Sequence, residues 1–152
     1  MKQKRDDRLI LLSVDYGDVR TGIAVCDKQE MLASPVTVIQ ETWQPKLAAK
    51  IAELAEAHNA ERIVVGQPRN MDGSYGPRAE KCAELAALLQ HEYGLDTVLY
   101  DERLTTVEAH YALNLTNTRG SKRKAVVDAV SPVIILGDYM KHEHDQGETN
   151  NV

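Results

Sequence analysis

The segment Leu9-Ile-Leu-Leu-Ser-Val-Asp-Tyr-Gly-Asp-Val-Arg-Thr-Gly-Ile-Ala-Val-Cys26 predicts two β-strands joined by a tight turn. Its two apolar runs have the length and composition of buried strands, and the Gly and Asp residues between them favour a turn. The first run ends at a carboxylate, Asp15. The chain is therefore predicted to open with a hairpin that places an acid at the end of its first strand.

The rest of the chain alternates between strand-like and helix-like patterns. Residues 31–39 continue the strand pattern but contain Pro35, which cannot donate a ladder hydrogen bond and is expected at a sheet edge. Three strands followed by strand-helix-strand crossovers predict an α/β fold, with a mixed sheet and helices on both faces. The later predicted elements are a helix over residues 45–58, a strand over 63–65, a loop over 66–76, a helix over 79–93, a strand over 97–100, a helix over 105–115 that opens with a Thr105/Glu108 capping box, and a helix within 126–136.

Length and composition predict one domain over residues 1–140 and a polar, disordered tail over residues 141–152. Eighteen basic and 23 acidic residues give a net charge of −5, so a polyanionic partner must be held by a local basic patch. Cys26 and Cys82 are expected to be core thiols. The apolar run behind the charged N-terminus breaks at Asp15, too soon for a signal or membrane span, which predicts a cytoplasmic protein that binds no membrane.

Three acids stand where the apolar pattern ends or turns, namely Asp15, Glu102 and Asp128. A fold that gathers three carboxylates normally offsets their repulsion with a divalent cation, usually Mg²⁺ or Mn²⁺ where the ligands are oxygen. Each acid also has an ordinary structural explanation, as a turn residue, a strand exit or a charge at a helix start. Together they make metal-assisted phosphate chemistry the leading hypothesis.

Four motifs in fixed order surround these acids. They read Val14-Asp-Tyr-Gly-Asp-Val-Arg-Thr-Gly22, Val64-Val-Gly-Gln-Pro-Arg-Asn-Met-Asp-Gly73, Asp101-Glu-Arg-Leu-Thr-Thr106 and Lys124-Ala-Val-Val-Asp-Ala-Val130. Over residues 9–140 the chain resembles the YqgF family, which is described as Holliday junction resolvases or pre-16S rRNA nucleases of the ribonuclease-H-like superfamily. Four spaced motifs are far more specific than any one of them.

The resemblance implies a five-stranded sheet in order 3-2-1-4-5, with strand 2 antiparallel. It also implies that Asp15, Glu102 and Asp128 are catalytic and hold one or two Mg²⁺ or Mn²⁺ ions, which activate water and stabilise the leaving oxygen of a phosphodiester. Asp101 is the alternative to Glu102. Because neighbouring residues of a strand face opposite ways, only one of the two is expected at the metal, and Glu102 is preferred.

Several positions depart from the family pattern. The end of the fourth strand, where the superfamily often has an acid, carries none, and Gln67 and Val19 replace an apolar and a basic residue respectively. Pro132 lacks the N–H that would pair with the carbonyl of Asp128 in a continuous helix. We therefore expect either a new helix capped by Ser131 or a kink beside the metal site.

Phosphate contacts are predicted from several basic and polar side chains. Arg20 is the leading candidate, although an ion pair with Asp18 or Asp27 would explain it equally well. The loop around Asn70 is either a rim of the cleft or a simple turn before a helix. The complete predicted substrate-binding set is Arg20, Asn70, Arg103, Arg119, Lys122, Arg123 and Lys124, of which the last four form a basic patch leading to Asp128.

The first functional hypothesis is a metal-dependent nuclease that trims the 5′ end of precursor 16S rRNA. The first alternative is resolution of four-way DNA junctions by a symmetric homodimer. A non-catalytic nucleic-acid-binding module is a second alternative, and an ATP-binding domain is disfavoured because only one lobe is present. The expected partner is accordingly precursor rRNA or branched DNA, bound by a monomer or weak homodimer.

Overall fold

The computed structural model describes residues 9–26, 33–68, 70, 72–101 and 130–141. These residues form a five-stranded sheet in the order β3-β2-β1-β4-β5, which confirms the predicted order. β1 pairs antiparallel with β2 and parallel with β4, so strand 2 is antiparallel as expected. The elements are β1 (Leu11–Asp15), β2 (Arg20–Cys26), β3 (Ala33–Gln40), α1 (Gln44–Ala57), β4 (Arg62–Gln67), α2 (Pro77–Tyr93) and β5 (Thr97–Asp101), and residues 130–141 form what we call the C-terminal helix.

The predicted edge strand is found at one edge of the sheet. β3 pairs only with β2 in the strand order, and the pairing shifts register between Ile23 and Ala24, opposite Pro35. A bulge at an edge accommodates a residue that cannot donate to the ladder. Because β3 runs antiparallel to β2, its carboxyl end lies at the same edge of the sheet as the carboxyl end of β1.

The first core layer lies between the sheet and helices α1 and α2. Leu12 and Val14 of β1 point into it together with Leu47 and Ile51 of α1 and Leu85 of α2, and all five are buried. β1 is buried on both faces, as its continuous apolar run predicted, and every second residue of it points into this layer. The helical spacing of apolar residues in α1 and α2 supplies the other side of the layer. Cys82 is buried here and Cys26 in the second layer, which confirms both as core thiols.

The second core layer lies on the opposite face of the sheet, beneath the C-terminal helix. Leu11 of β1 and Val64 of β4 pack there against Ile135 and Leu136. The described part of the chain therefore has helices on both faces, as expected for this fold class. No helix among the described residues is long and apolar enough to cross a membrane.

The boundaries differ from the prediction at two places. The loop predicted over 66–76 begins later, because Gly66 and Gln67 continue β4 and pair with Tyr100 and Asp101 of β5. The last helix extends to residue 141, beyond the predicted end at 136. The tail was predicted to begin at residue 141, whereas Lys141 is the last residue of the C-terminal helix. The predicted helix over 105–115 with its capping box, and residues 142–152 of the tail, lie outside the described residues.

Candidate active site

Asp15 is the last residue of the central strand. Ser13 and Leu11 lie on the face of β1 that meets the C-terminal helix, so strand alternation directs the half-buried Asp15 to that same face. The chain turns away immediately after it. The carboxylate is therefore held at the carboxyl edge of the sheet by a strand that is itself paired on both sides.

Glycines flank Asp15 on both neighbouring strands. Gly22 of β2 is its antiparallel partner, and the parallel register of Val14 with Val65 places Gly66 of β4 beside it on the other side. Neither neighbour has a side chain to stand next to the carboxylate on this face. Small neighbours leave room for a ligand to approach the acid.

Tyr100 and Asp101 are the last two residues of β5, which pairs with β4 on the side away from β1. Tyr100 pairs with Gly66 and packs into the second core layer, so alternation turns Asp101 to the opposite face from Asp15. Burial, with Asp138 and Asp101 nearby, raises the pKa of Tyr100 to about 12, so its phenol stays protonated at neutral pH. The placement of Asp101 disfavours it as a ligand shared with Asp15.

The turn between β1 and β2 brings Arg20 to the same face as Asp15. Gly17 makes this turn possible, because a Cβ at that position would lie 2.1 Å from the carbonyl oxygen of Arg20. Arg20 opens β2 two residues before Gly22, the partner of Asp15, so both side chains belong to the same face of the sheet. Arg20 thus lies on the same face as Asp15, near the carboxyl end of β1.

Helix α2 fixes this turn from the other side. Arg78 Nη1 donates a hydrogen bond to the carbonyl oxygen of Tyr16 at 2.9 Å. Asp18 lies 3.7 Å from Arg78 Nη2 and 3.9 Å from Lys81 Nζ. The ion pairs of Asp18 therefore connect the hairpin turn to the first turns of α2.

The loop that carries Asn70 is stabilised by its own polar side chains. Asn70 Nδ2 donates to Ser74 Oγ at 2.9 Å, and Asp72 Oδ1 accepts hydrogen bonds from the backbone and the hydroxyl of Ser74. Gly73 adopts a φ of 90°, which favours glycine. Asn70 thus has the structural role of a turn residue, and its exposed side chain lies at the edge where Asp15 is found.

Two of the four departures from the family pattern, Gln67 and Pro132, take part in hydrogen bonds between elements. Gln67 is buried and its Nε2 donates to the carbonyl oxygen of Ala79 at 3.0 Å, which joins the end of β4 to the start of α2. Pro132 lies inside the described helix, and its carbonyl oxygen accepts a hydrogen bond from Ser13 Oγ at 2.7 Å. The helix is continuous from residue 130 through Pro132, and the residues before it lie outside the described part.

The other predicted site residues fall where the structure gives no description. Across the described ranges, no three His, Cys, Asp or Glu side chains gather in a way that could hold a metal. Asp15 alone of the predicted triad is described, and its setting fits a divalent cation, because a carboxylate oxygen at a sheet edge between glycines is a ligand that Mg²⁺ and Mn²⁺ accept. The undescribed members of the predicted set are Glu102, Asp128, Arg103, Arg119, Lys122, Arg123 and Lys124.

Sequence reasoning missed three residues that support this edge. Ser13 binds the C-terminal helix through Pro132, and Arg78 binds the hairpin turn through Tyr16. Trp43 is exposed just before α1. Ser13 did have a signal, since it is a polar residue inside an apolar run. The sequence gives no signal for Arg78, because a basic residue near the start of a helix cannot be distinguished from any other solvent-exposed basic residue.

Comparison with known proteins supplies the family. The sequence model of the RuvX family, described as Holliday junction resolvase, matches residues 9–142. A protein of Halothermothrix orenii named "Putative pre-16S rRNA nuclease" is 39% identical over 134 residues, covering 88% of this chain and 96% of that protein. A protein of the same name from Lachnospira eligens is 38% identical over 134 residues, covering 86% of this chain and 96% of that protein.

Solved structures show the same architecture at low sequence identity. RuvC of Thermus thermophilus matches with a TM-score of 0.60 at 11% identity, covering 91% of this chain and 97% of that chain. The yeast mitochondrial Holliday junction resolvase Ydc2 matches with a TM-score of 0.56 at 13% identity, covering 97% of this chain and 85% of that chain. At these identities the likeness establishes the ribonuclease-H-like fold.

Proposed function

Because the chain belongs to the RuvX family, we propose that it is a divalent-metal-dependent nuclease that hydrolyses phosphodiester bonds of precursor 16S rRNA at the 5′ end. We assign the activity to one domain over residues 1–140, followed by a polar tail over residues 141–152, in a cytoplasmic protein. The observation that carries the proposal is the placement of Asp15 at the carboxyl edge of the central strand, between two glycines and beside Arg20.

The metal ligands in this proposal are Asp15, Glu102 and Asp128, which hold one or two Mg²⁺ or Mn²⁺ ions. When bound, such ions supply an activated water and charge stabilisation for the leaving oxygen. Asp101 faces away from Asp15, so it is disfavoured as a shared ligand, and Glu102 is the remaining acid of this motif. That orientation is the reason to prefer Glu102.

Phosphate binding is assigned to Arg20 and to the basic residues of the later motifs. Arg20 shares the face of Asp15, where its guanidinium is suited to bidentate contact with phosphate oxygens. Arg103 and the patch Arg119, Lys122, Arg123 and Lys124 add positive charge in an otherwise acidic chain. Such contacts give affinity and register without reading the base sequence.

Asp15→Asn tests the catalytic role of the first acid. The amide keeps the size of the side chain but removes the negative charge that binds a cation, so cleavage of a precursor rRNA 5′ leader in Mg²⁺ or Mn²⁺ should fall at least about 100-fold. The thermal unfolding midpoint should stay the same.

Asp18→Asn is the matched control, because it removes a carboxylate from the same hairpin outside the proposed metal site. Its cleavage rate should remain within about threefold of wild type, since exposed ion pairs contribute little. Undiminished cleavage by Asp15→Asn would contradict the proposal. Binding of the leader without cleavage by the wild type would instead favour a non-catalytic binding module.

Resolution of four-way DNA junctions is the second candidate, because the matching family model carries that description. A gel assay that offers junction DNA and the rRNA leader separately to the same preparation distinguishes the two. The rRNA proposal predicts cleavage of the leader, whereas paired symmetric cuts in the junction by a dimeric species would favour the resolvase.

A further inference from the structure

An exposed tryptophan lies at the same edge of the sheet as Asp15. Trp43 immediately precedes α1 and is 65% exposed, the highest value among the large hydrophobic side chains found exposed in the described residues. Because β3 is parallel to β1, the start of α1 lies at the carboxyl edge of β1. Two inter-strand spacings, about 10 Å, separate β3 from the strand that carries Asp15.

Hydrogen bonds tie Trp43 to the turn that follows Asp15. The backbone N–H of Glu41 donates to the carbonyl oxygen of Val19 at 3.1 Å, and Glu41 Oε2 accepts from the backbone N–H of Trp43 at 3.3 Å. Val19 is itself 54% exposed. These bonds link the backbone at Trp43 to the β1–β2 turn at Val19.

Helix α2 completes the same surface with basic side chains. Gln44 Nε2 donates to the carbonyl oxygen of Lys81 at 2.9 Å, which joins the start of α1 to α2. Arg78, one turn earlier, holds the hairpin through Tyr16. Lys46 adds an exposed cation to the first turn of α1, where no acid is present. We call Val19, Trp43, Lys46, Arg78 and Lys81 the tryptophan rim.

The charge of this surface suits a polyanion. Residues 16–19, 41–50 and 78–81 together carry four cations and three acids, an excess of one positive charge in a chain whose net charge is −5. An exposed aromatic ring is a stacking platform for an unpaired base, and neighbouring cations neutralise its phosphates. The cations are Lys46, Lys50, Arg78 and Lys81, and the acids are Asp18, Glu41 and Glu80, of which Asp18 and Glu41 are already paired with these cations.

We propose that the tryptophan rim binds a single-stranded segment of the RNA substrate, with a base stacked on Trp43 and phosphates contacted by Lys46, Arg78 and Lys81. This inference rests on the proposed nuclease function and names the form of RNA that the site accepts. Asp15 faces the second core layer and Trp43 stands at the start of a first-layer helix, so the bound strand crosses the sheet edge over the β1–β2 turn. A duplex cannot offer an unpaired base to the indole.

The intrinsic fluorescence of Trp43 reports this contact directly, because it is the single tryptophan of the chain. The full chain carrying Asp15→Asn is titrated in metal-free buffer with an unstructured RNA of about 12 nucleotides, and separately with the same RNA annealed to its complement. Single-stranded RNA should quench the fluorescence to saturation, and the effect should weaken as salt is raised. Absence of quenching, or equal quenching by the duplex, would overturn the proposal.

Substitution separates stacking from general charge. Trp43→Ala should raise the dissociation constant for labelled single-stranded RNA at least about fivefold, and Trp43→Phe should restore most of the affinity. Tyr93→Ala is the matched control, since Tyr93 is 43% exposed at the opposite end of α2 and should bind like the parent. Equal affinity of the Trp43→Ala and Tyr93→Ala proteins would overturn the stacking role.

Cleavage measured in parallel distinguishes the two proposals. Wild-type protein that cuts the leader while the Asp15→Asn protein shows no quenching would refute the tryptophan rim alone. The other outcome is that single-stranded RNA quenches the fluorescence and Trp43→Ala weakens binding, but the wild-type protein cuts no RNA. That result would refute the proposed nuclease function and retain the tryptophan rim as an RNA-binding surface.

Discussion

Residues at the carboxyl edge of the sheet differ in whether their positions could be predicted from the sequence. Asp15 was predictable, because an acid that closes an apolar run and precedes a Gly-containing turn is unusual in a buried strand. Trp43 was not, since a tryptophan before a helix does not reveal from sequence whether it packs inward or stands in solvent. Exposure depends on how α1 meets the hairpin, and that is a tertiary property.

Glu41 illustrates a residue whose ionisation supports this edge. The hydrogen bond from the backbone N–H of Trp43, and Lys50 close by, lower the pKa of Glu41 below its ordinary value of 4.5. A lowered folded-state pKa means that the stabilisation is present above pH 4.5 and is lost as the pH falls through the folded value.

Glu41→Gln should remove that dependence. Between pH 7 and pH 3, the free energy of unfolding in urea should fall more for wild type than for this variant, with the difference appearing below pH 4.5. Carboxyl chemical shifts would report the Glu41 titration midpoint itself. Identical pH dependence in the two proteins would show that this carboxylate has no stabilising role.

At the scale of elements, the C-terminal helix is attached to the sheet through polar contacts as well as apolar ones. Ser13 Oγ donates to the carbonyl of Pro132 near one end of the contact. Arg62 Nη1 donates to Tyr139 Oη at 3.0 Å and its Nε contacts Asp96 at 2.8 Å. These bonds set the position of the C-terminal helix along β1 and β4.

Ser13→Ala should weaken this attachment. The change leaves a buried carbonyl without its hydroxyl donor at nearly constant volume, so the free energy of unfolding should fall by about 1–2 kcal/mol. Ser34→Ala, at an exposed position on the edge strand β3, should change it by less than about 0.5 kcal/mol. Chemical denaturation of wild type, Ser13→Ala and Ser34→Ala measures the two changes in the free energy of unfolding. Equal stability of all three proteins would contradict the structural role of Ser13.

Most elements could be predicted from sequence because their patterns are locally clear. The β-branched run of β4, the helical spacing of α1 and α2 and the proline in β3 each correspond to an observed element. The end of β4 was misplaced because Gly66 and Gln67 look like loop residues, yet the first lies beside Asp15 and the second bonds to α2. Contacts remote in sequence gave these two residues their strand conformation.

At the scale of the whole molecule, the sheet order explains how distant motifs meet. β1 lies centrally with β4 beside it and β5 next in order, so the carboxyl ends of three parallel strands share one edge. The strand order was available from family resemblance, whereas hydrophobic pattern alone predicted only a mixed sheet. Alternation predicted from sequence only that Asp101 and Glu102 face opposite ways. The packing of Tyr100 into the second core layer turns Asp101 away from the face of Asp15.

In the proposed nuclease, Asp15, Glu102 and Asp128 together hold a divalent cation. Anomalous diffraction from crystals of the full chain soaked in Mn²⁺ is the decisive test of this ligand set. Anomalous density is expected within coordination distance of all three carboxylates, with Asp101 outside the coordination shell. Density bound by Asp101 instead of Glu102, or a well-ordered structure in which the three carboxylates point apart without manganese, would contradict it.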